Sequence, residues 1–127
     1  MSYTKKNLHD VEDAAAKRGM SEMGEAHFAG GELEAENTGL AYHVLKPGKR
    51  QPFGHKHDNA EEVHVVIAGS GRVRLDDEIV ELNPMDALRL SPKVTRSFEA
   101  GPEGLEFLVF GPHHEKDGEL NQDFWKD

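Results

Sequence analysis

The stretch Pro52-Phe53-Gly54-His55-Lys56-His57-Asp58-Asn59-Ala60-Glu61-Glu62-Val63-His64-Val65-Val66-Ile67-Ala68-Gly69 decides how this chain is read. His55 and His57 are two apart, so on a strand both side chains leave the same face. Asp58 and Asn59 are turn formers. The chain then returns through the apolar run from Val63 to Ile67, so Glu62 opens the neighbouring strand opposite the two histidines. Two imidazoles and one carboxylate converging from adjacent strands make a facial triad. A triad leaves open positions on a divalent metal; it suits iron(II) and also manganese, nickel or zinc. A lone H-x-H pair usually means two surface histidines, and the set distances to Glu62 and Gly69 are what lift this one above chance.

Working outward, the chain divides into three zones. Residues 1–24 are polar and read as an arm with a short helix over Asp10–Arg18, with Asp10 as N-cap and Gly19 as the stop. Residues 25–112 carry short apolar runs separated by Gly, Pro, Asn and Asp. The predicted strands are Ala26–Phe28, Leu40–Leu45, Val63–Ile67, Val73–Leu75, Ile79–Leu82, Ala87–Leu90, Arg96–Phe98 and Leu105–Phe110. Many short strands at close spacing predict an all-β antiparallel sandwich or barrel. Residues 113–127 form a polar tail, and its Phe124-Trp125 pair is expected to dock on the barrel or on a partner.

Composition narrows the chemistry. At 127 residues the chain fits one domain, and it contains no cysteine, so any metal must be held by nitrogen and oxygen. Fifteen Lys and Arg against 24 Asp and Glu leave a net charge of −9. An acidic surface disfavours nucleic acid and anionic lipid. With no apolar leader or membrane-length segment in the sequence, the expected location is the cytoplasm.

The central stretch resembles the first motif of the cupin family: a glycine, H-x-H, three or four residues, a glutamate, six residues and a glycine. His55, His57, Glu62 and Gly69 fall in register, with four residues before Glu62 and six after it. Gly48 stands one residue further out than the leading glycine of the motif. Glu61 also satisfies the shorter spacing, but only Glu62 keeps the interval to Gly69. The resemblance covers roughly residues 40 to 110 and implies a jelly-roll barrel, a homodimer and one divalent metal (Fe, Mn, Zn or Ni) on His55, His57 and Glu62.

The second motif of that family departs. Aligned through Pro84-Met85-Asp86 and Leu90-Ser91-Pro92, its signature positions read Met85, Ser91, Lys93, Arg96 and Ala100. Arg96 takes the place of the fourth ligand, and arginine has no lone pair to offer a metal. Three readings follow. The remaining triad holds the metal while Arg96 binds an anionic ligand at the pocket edge. Alternatively, Arg96 pairs with Glu62 in a metal-free binding or sensor pocket. In the third reading His64, which shares strand parity with Glu62, or His43 replaces the lost histidine. Tyr42, Phe53, Phe98 and Phe107 are expected in the core or pocket wall, and Tyr42, His43, His64 and Arg96 are the ligand-binding candidates.

Two functions stand side by side at this point. One is a metal-dependent dioxygenase or isomerase acting on a small molecule. The other is a binding module or metabolite sensor, although no helix-turn-helix segment is visible for a sensor to control. Fold alone does not choose between them.

Overall fold

A computed structural model describes residues 2–112, 119–121, 124 and 125. His113 and His114, which open the polar tail and are expected to be solvated or structural rather than catalytic, lie outside the described residues.

The core of the molecule is a curled antiparallel sheet built on two long strands. Strand β4 (Glu62–Leu75) pairs with β5 (Glu78–Leu82), β6 (Ala87–Leu90) and β7 (Arg96–Pro112). Strand β7 also pairs with β2 (Thr38–Leu45) and, at His55↔Arg96, with β3 (Gly54–Lys56). Strand β1 (Gly24–Phe28) extends the sheet beyond β2, and β8 (Glu119–Asn121) lies along the other side of β3. This is the all-β jelly-roll barrel expected for a cupin, built on long-range antiparallel pairing. Leu45, Val66, Val73, Leu82, Phe98, Ala100, Leu105 and Phe107 form one buried cluster inside it.

Sequence-predicted strands merge in two places. Val63–Ile67 and Val73–Leu75 are halves of β4, and Arg96–Phe98 and Leu105–Phe110 are halves of β7. Gly69 and Gly71 bend β4 rather than end it. The pairing with β7 slips between Val66 and Ala68 and again between Gly69 and Gly71, as bulges do. At Gly69, where φ is +75°, an added Cβ would lie 2.0 Å from the Gly104 carbonyl oxygen. Close backbone approach, not a turn, is the reason for glycine there.

The N-terminal arm differs in detail from expectation. Its helix, α1, spans Ala14–Lys17 and is capped by Asp13, not Asp10; Leu8–Asp10 forms a separate 3-10 turn. The Asp13 carboxylate accepts from the N–H groups of Ala15, Ala16 and, across to β1, Ala26. Burial works to raise the pKa of Asp13, but these three backbone donors and nearby His27 hold it below the usual carboxylate value. One side chain thus caps the helix and ties the arm to the sheet.

Candidate metal centre

His55 is on β3 and His57 follows directly after it, whereas Glu62 begins β4. The strand geometry brings together one ligand atom from each residue, all within 4.8 Å of one another, a separation that a single divalent ion can span. The Glu62 carboxylate faces two ways. Its Oε2 lies 3.1 Å from His57 Nε2. Its Oε1 lies 3.4 Å from Arg96 Nη1 and 3.6 Å from His64 Nε2.

Protonation favours coordination. Burial and then the Arg96 charge push His55 down to about 4, so its imidazole is neutral at pH 7. Burial opposes ionisation of Glu62, but the His57 hydrogen bond and the charges of His64, His57 and Arg96 hold its pKa at about 2. A neutral imidazole and an ionised carboxylate are what a metal requires. The donor set therefore fits a divalent ion with imidazole and carboxylate preferences.

The cluster forms the polar floor of a cavity of about 680 Å³. His43 from β2 and His64 from β4 also face it. The His43 ring stacks on Phe107 at 5.1 Å, Phe107 on Phe98 at 4.4 Å, and Phe98 on His64 at 5.0 Å. Burial in this wall lowers His43 to about 4 and His64 to about 3. His64 Nδ1 is buried without a hydrogen-bond partner among the described residues.

Two expected ligand-binding residues are placed elsewhere. Arg96 is fully buried at 0% exposure and does not line the cavity. Its Nη2 donates to the Ser91 carbonyl at 2.9 Å while Nη1 reaches Glu62. The expected anion-binding position at the pocket edge is thus corrected: register with His55 puts the guanidinium behind the Glu62 carboxylate, where burial lowers its pKa. Tyr42 points to the opposite face of β2 from His43. Its hydroxyl donates to Glu106 and its ring stacks on His27 at 5.5 Å. Strand alternation makes it part of the contact beneath the arm, and burial together with Glu106 raises its pKa.

The tail docks as expected, on a target that the sequence pattern did not give. Phe124 is buried at 5% exposure. A Cβ on Gly54 would lie 2.5 Å from its ring, so only glycine fits at the start of the strand that carries His55. Trp125 Nε1 donates to the Gln51 carbonyl and to Ser97 Oγ at 3.0 and 2.9 Å, and Arg50 lies 4.2 Å above its ring. The Phe-Trp pair was visible as a docking signal, but its target on β3 and β7 required the folded sheet.

The family model for the AraC-like ligand binding domain matches residues 32–123. The chain belongs to that family. Among solved structures, this AraC-like domain is similar to a cupin protein from Bacteroides fragilis at 21% identity and a TM-score of 0.72, with 91% of this chain and 88% of that chain covered. It is similar to the polyketide cyclase RemF from Streptomyces resistomycificus at 19% identity and a TM-score of 0.76, covering 99% and 89%. The oxalate decarboxylase of Bacillus subtilis matches at 26% identity and a TM-score of 0.77. That match covers 94% of this chain but 32% of the enzyme, so the AraC-like domain spans about a third of its length. A comparison with curated protein sequences gave no match. The domain is a small cupin, and no described helix is long and apolar enough to cross a membrane.

Proposed function

We propose that this domain holds one divalent metal through His55, His57 and Glu62 and binds a small molecule in the cavity above it. The convergence of the three donors at the floor of that cavity supports this reading. Iron, manganese, zinc and nickel all suit two imidazoles and a carboxylate. A metal held by three protein ligands keeps open positions, where it supplies Lewis-acid polarisation of a substrate oxygen or, with a redox metal, oxygen chemistry. In this reading the chain's own residues orient the ion. Arg96 holds Glu62 Oε1 from behind and leaves Oε2 toward His57, while β8 and Phe124 brace the strand carrying His55.

A second reading has one observation in its favour. The Arg96–Glu62 pair already supplies a positive charge next to the carboxylate. A metal-free pocket would use that pair to keep Glu62 ionised and the floor polar, and the domain would act as a binding or sensor module.

Metal analysis of protein purified without a nickel column separates the two. About one equivalent of metal in the wild type, lost in His57→Ala, is expected for a site of this kind. Absence of metal in both proteins after incubation with each of the four ions would leave the metal-free pocket.

A further inference from the structure

Most of the cavity's polar side chains form one cluster: the ligand atoms of His55, His57 and Glu62 lie within 4.8 Å of one another and His64 Nε2 lies 3.6 Å from Glu62, while His43 comes from β2. The remaining surface comes largely from small or apolar side chains, among them Met20, Met23, Ala26, Ala41, Phe107 and Val109. Two other polar side chains reach it among the described residues. Gln51 is one, and its Oε1 already accepts from the Phe98 N–H. Arg18, at the end of α1 in the arm, is the other and is exposed.

This distribution selects among ligand classes. A sugar carries a hydroxyl on nearly every carbon, and each one taken into an apolar wall without a partner costs about 1–3 kcal/mol. A small dianion such as oxalate would occupy the floor and leave the rest of a cavity of about 680 Å³ unfilled. A flat ring system with oxygen at one edge matches both parts. Its faces would pack against the His43 ring, itself backed by Phe107, and against Ala41 and Val109, where aromatic contact adds about 0.5–1.5 kcal/mol beyond area burial. Its oxygen would lie at the floor, beside the converging His55, His57 and Glu62 donors.

We infer that the ligand of this cavity is a planar, largely apolar, ring-bearing molecule with a phenolic or enolic edge, and that the edge docks at the His-His-Glu floor. The inference deepens the proposed function and rests on that floor being the reactive end of the site.

The test is calorimetric titration of metal-free and zinc-loaded protein with 2-naphthol, naphthalene-2,3-diol, glucose and oxalate. 2-Naphthol cannot chelate and therefore reads the wall alone. The metal-free protein is expected to bind it about a hundredfold more tightly than glucose or oxalate, a ratio within reach of buried ring area. Ala41→Phe, which fills the wall, should weaken 2-naphthol by about tenfold or more. Val109→Phe serves the same purpose if Ala41→Phe does not give the wild-type circular dichroism spectrum. Zinc should tighten the diol by a further factor of about ten while leaving 2-naphthol unchanged. Glucose or oxalate binding more tightly than 2-naphthol would overturn the ligand class, as would 2-naphthol binding that is indifferent to both wall-filling variants. Selective 2-naphthol binding with no zinc uptake would uphold the ring-binding wall and reject the metal reading instead.

Discussion

His27 on β1 and His43 on β2 lie within one register step of each other, since Ala26 pairs with His43 and His27 pairs with Tyr42. They occupy opposite faces of the same two strands. His27 faces outward beneath the arm, and both of its ring nitrogens meet acceptors: Nδ1 is 2.7 Å from the Val11 carbonyl and Nε2 is 2.8 Å from a Glu25 carboxylate oxygen. Only an imidazolium satisfies both. Burial disfavours that charge, but the Glu25 hydrogen bond and the Val11 carbonyl raise the His27 pKa above its ordinary value. His43 faces the cavity, stacked on Phe107, and burial there pushes it down to about 4. One residue step along an antiparallel pair thus changes a structural cation into a neutral ring suited to a ligand pocket.

The largest expected effect breaks the inner face. Glu62→Ala removes the carboxylate that faces the fully buried Arg96. Stranding a buried charge in this way costs about 3–5 kcal/mol, which urea unfolding should register; a cost below about 1 kcal/mol would show that the guanidinium finds another partner.

The outer face should yield next. His27→Gln keeps one donor but loses the charge and one of two hydrogen bonds, for an expected loss of about 1.5–3 kcal/mol at pH 6. The pH dependence gives a second readout. A raised folded pKa means that the His27 contribution is fully present below its unfolded value near 6.5 and is lost as pH rises through the folded value. The gap between wild type and His27→Gln should therefore narrow as the pH rises above that range.

His43 should show the opposite slope. Its lowered folded pKa gives a contribution fully present above about 6.5 and lost as pH falls toward about 4. His43→Phe keeps the stacked ring, removes the titration and should flatten the acid limb of the stability profile. If both histidine variants changed the same limb, the assignment of opposite states would fail.

The smallest effect serves as the control. Met85 has φ of +72° and is 78% exposed, standing at the position where the second cupin motif has glycine. Met85→Gly should raise stability by about 1 kcal/mol, because a left-handed backbone is costly for a residue with a Cβ. Thermal unfolding should show the gain at every pH alike, with neither limb altered.

The metal cluster was the most legible part of this molecule. His55, His57 and Glu62 lie within one short segment, where strand parity and a turn between strands suffice to predict convergence. Arg96 was identified as the departure from the family pattern, but its partner depended on pairing between β3 and β7, which are distant in sequence. Tyr42 was misplaced for a different reason. Both faces of β1 and β2 are covered, one by the arm and the other by the cavity wall, so apolar alternation does not reveal which face is inward. The same alternation with apolar neighbours points Arg72 and Arg74 to solvent. Arg72 instead pairs with Glu99 at 2.5 Å, and Arg74 stands 4.7 Å from the Phe124 ring, because the tail covers that side of the sheet.

Local spacing and composition determined the strand-rich class, the nitrogen and oxygen donor chemistry and the triad itself. Each depends on residues near one another in the chain, where backbone geometry leaves few alternatives. Tertiary structure alone decided that Arg96 stands behind Glu62, that His43 and not Tyr42 faces the cavity, and that Phe124 fits only against a glycine at the start of β3. Those contacts arise from the register and the closure of distant strands, and they set burial, from which the charge states of the histidines follow.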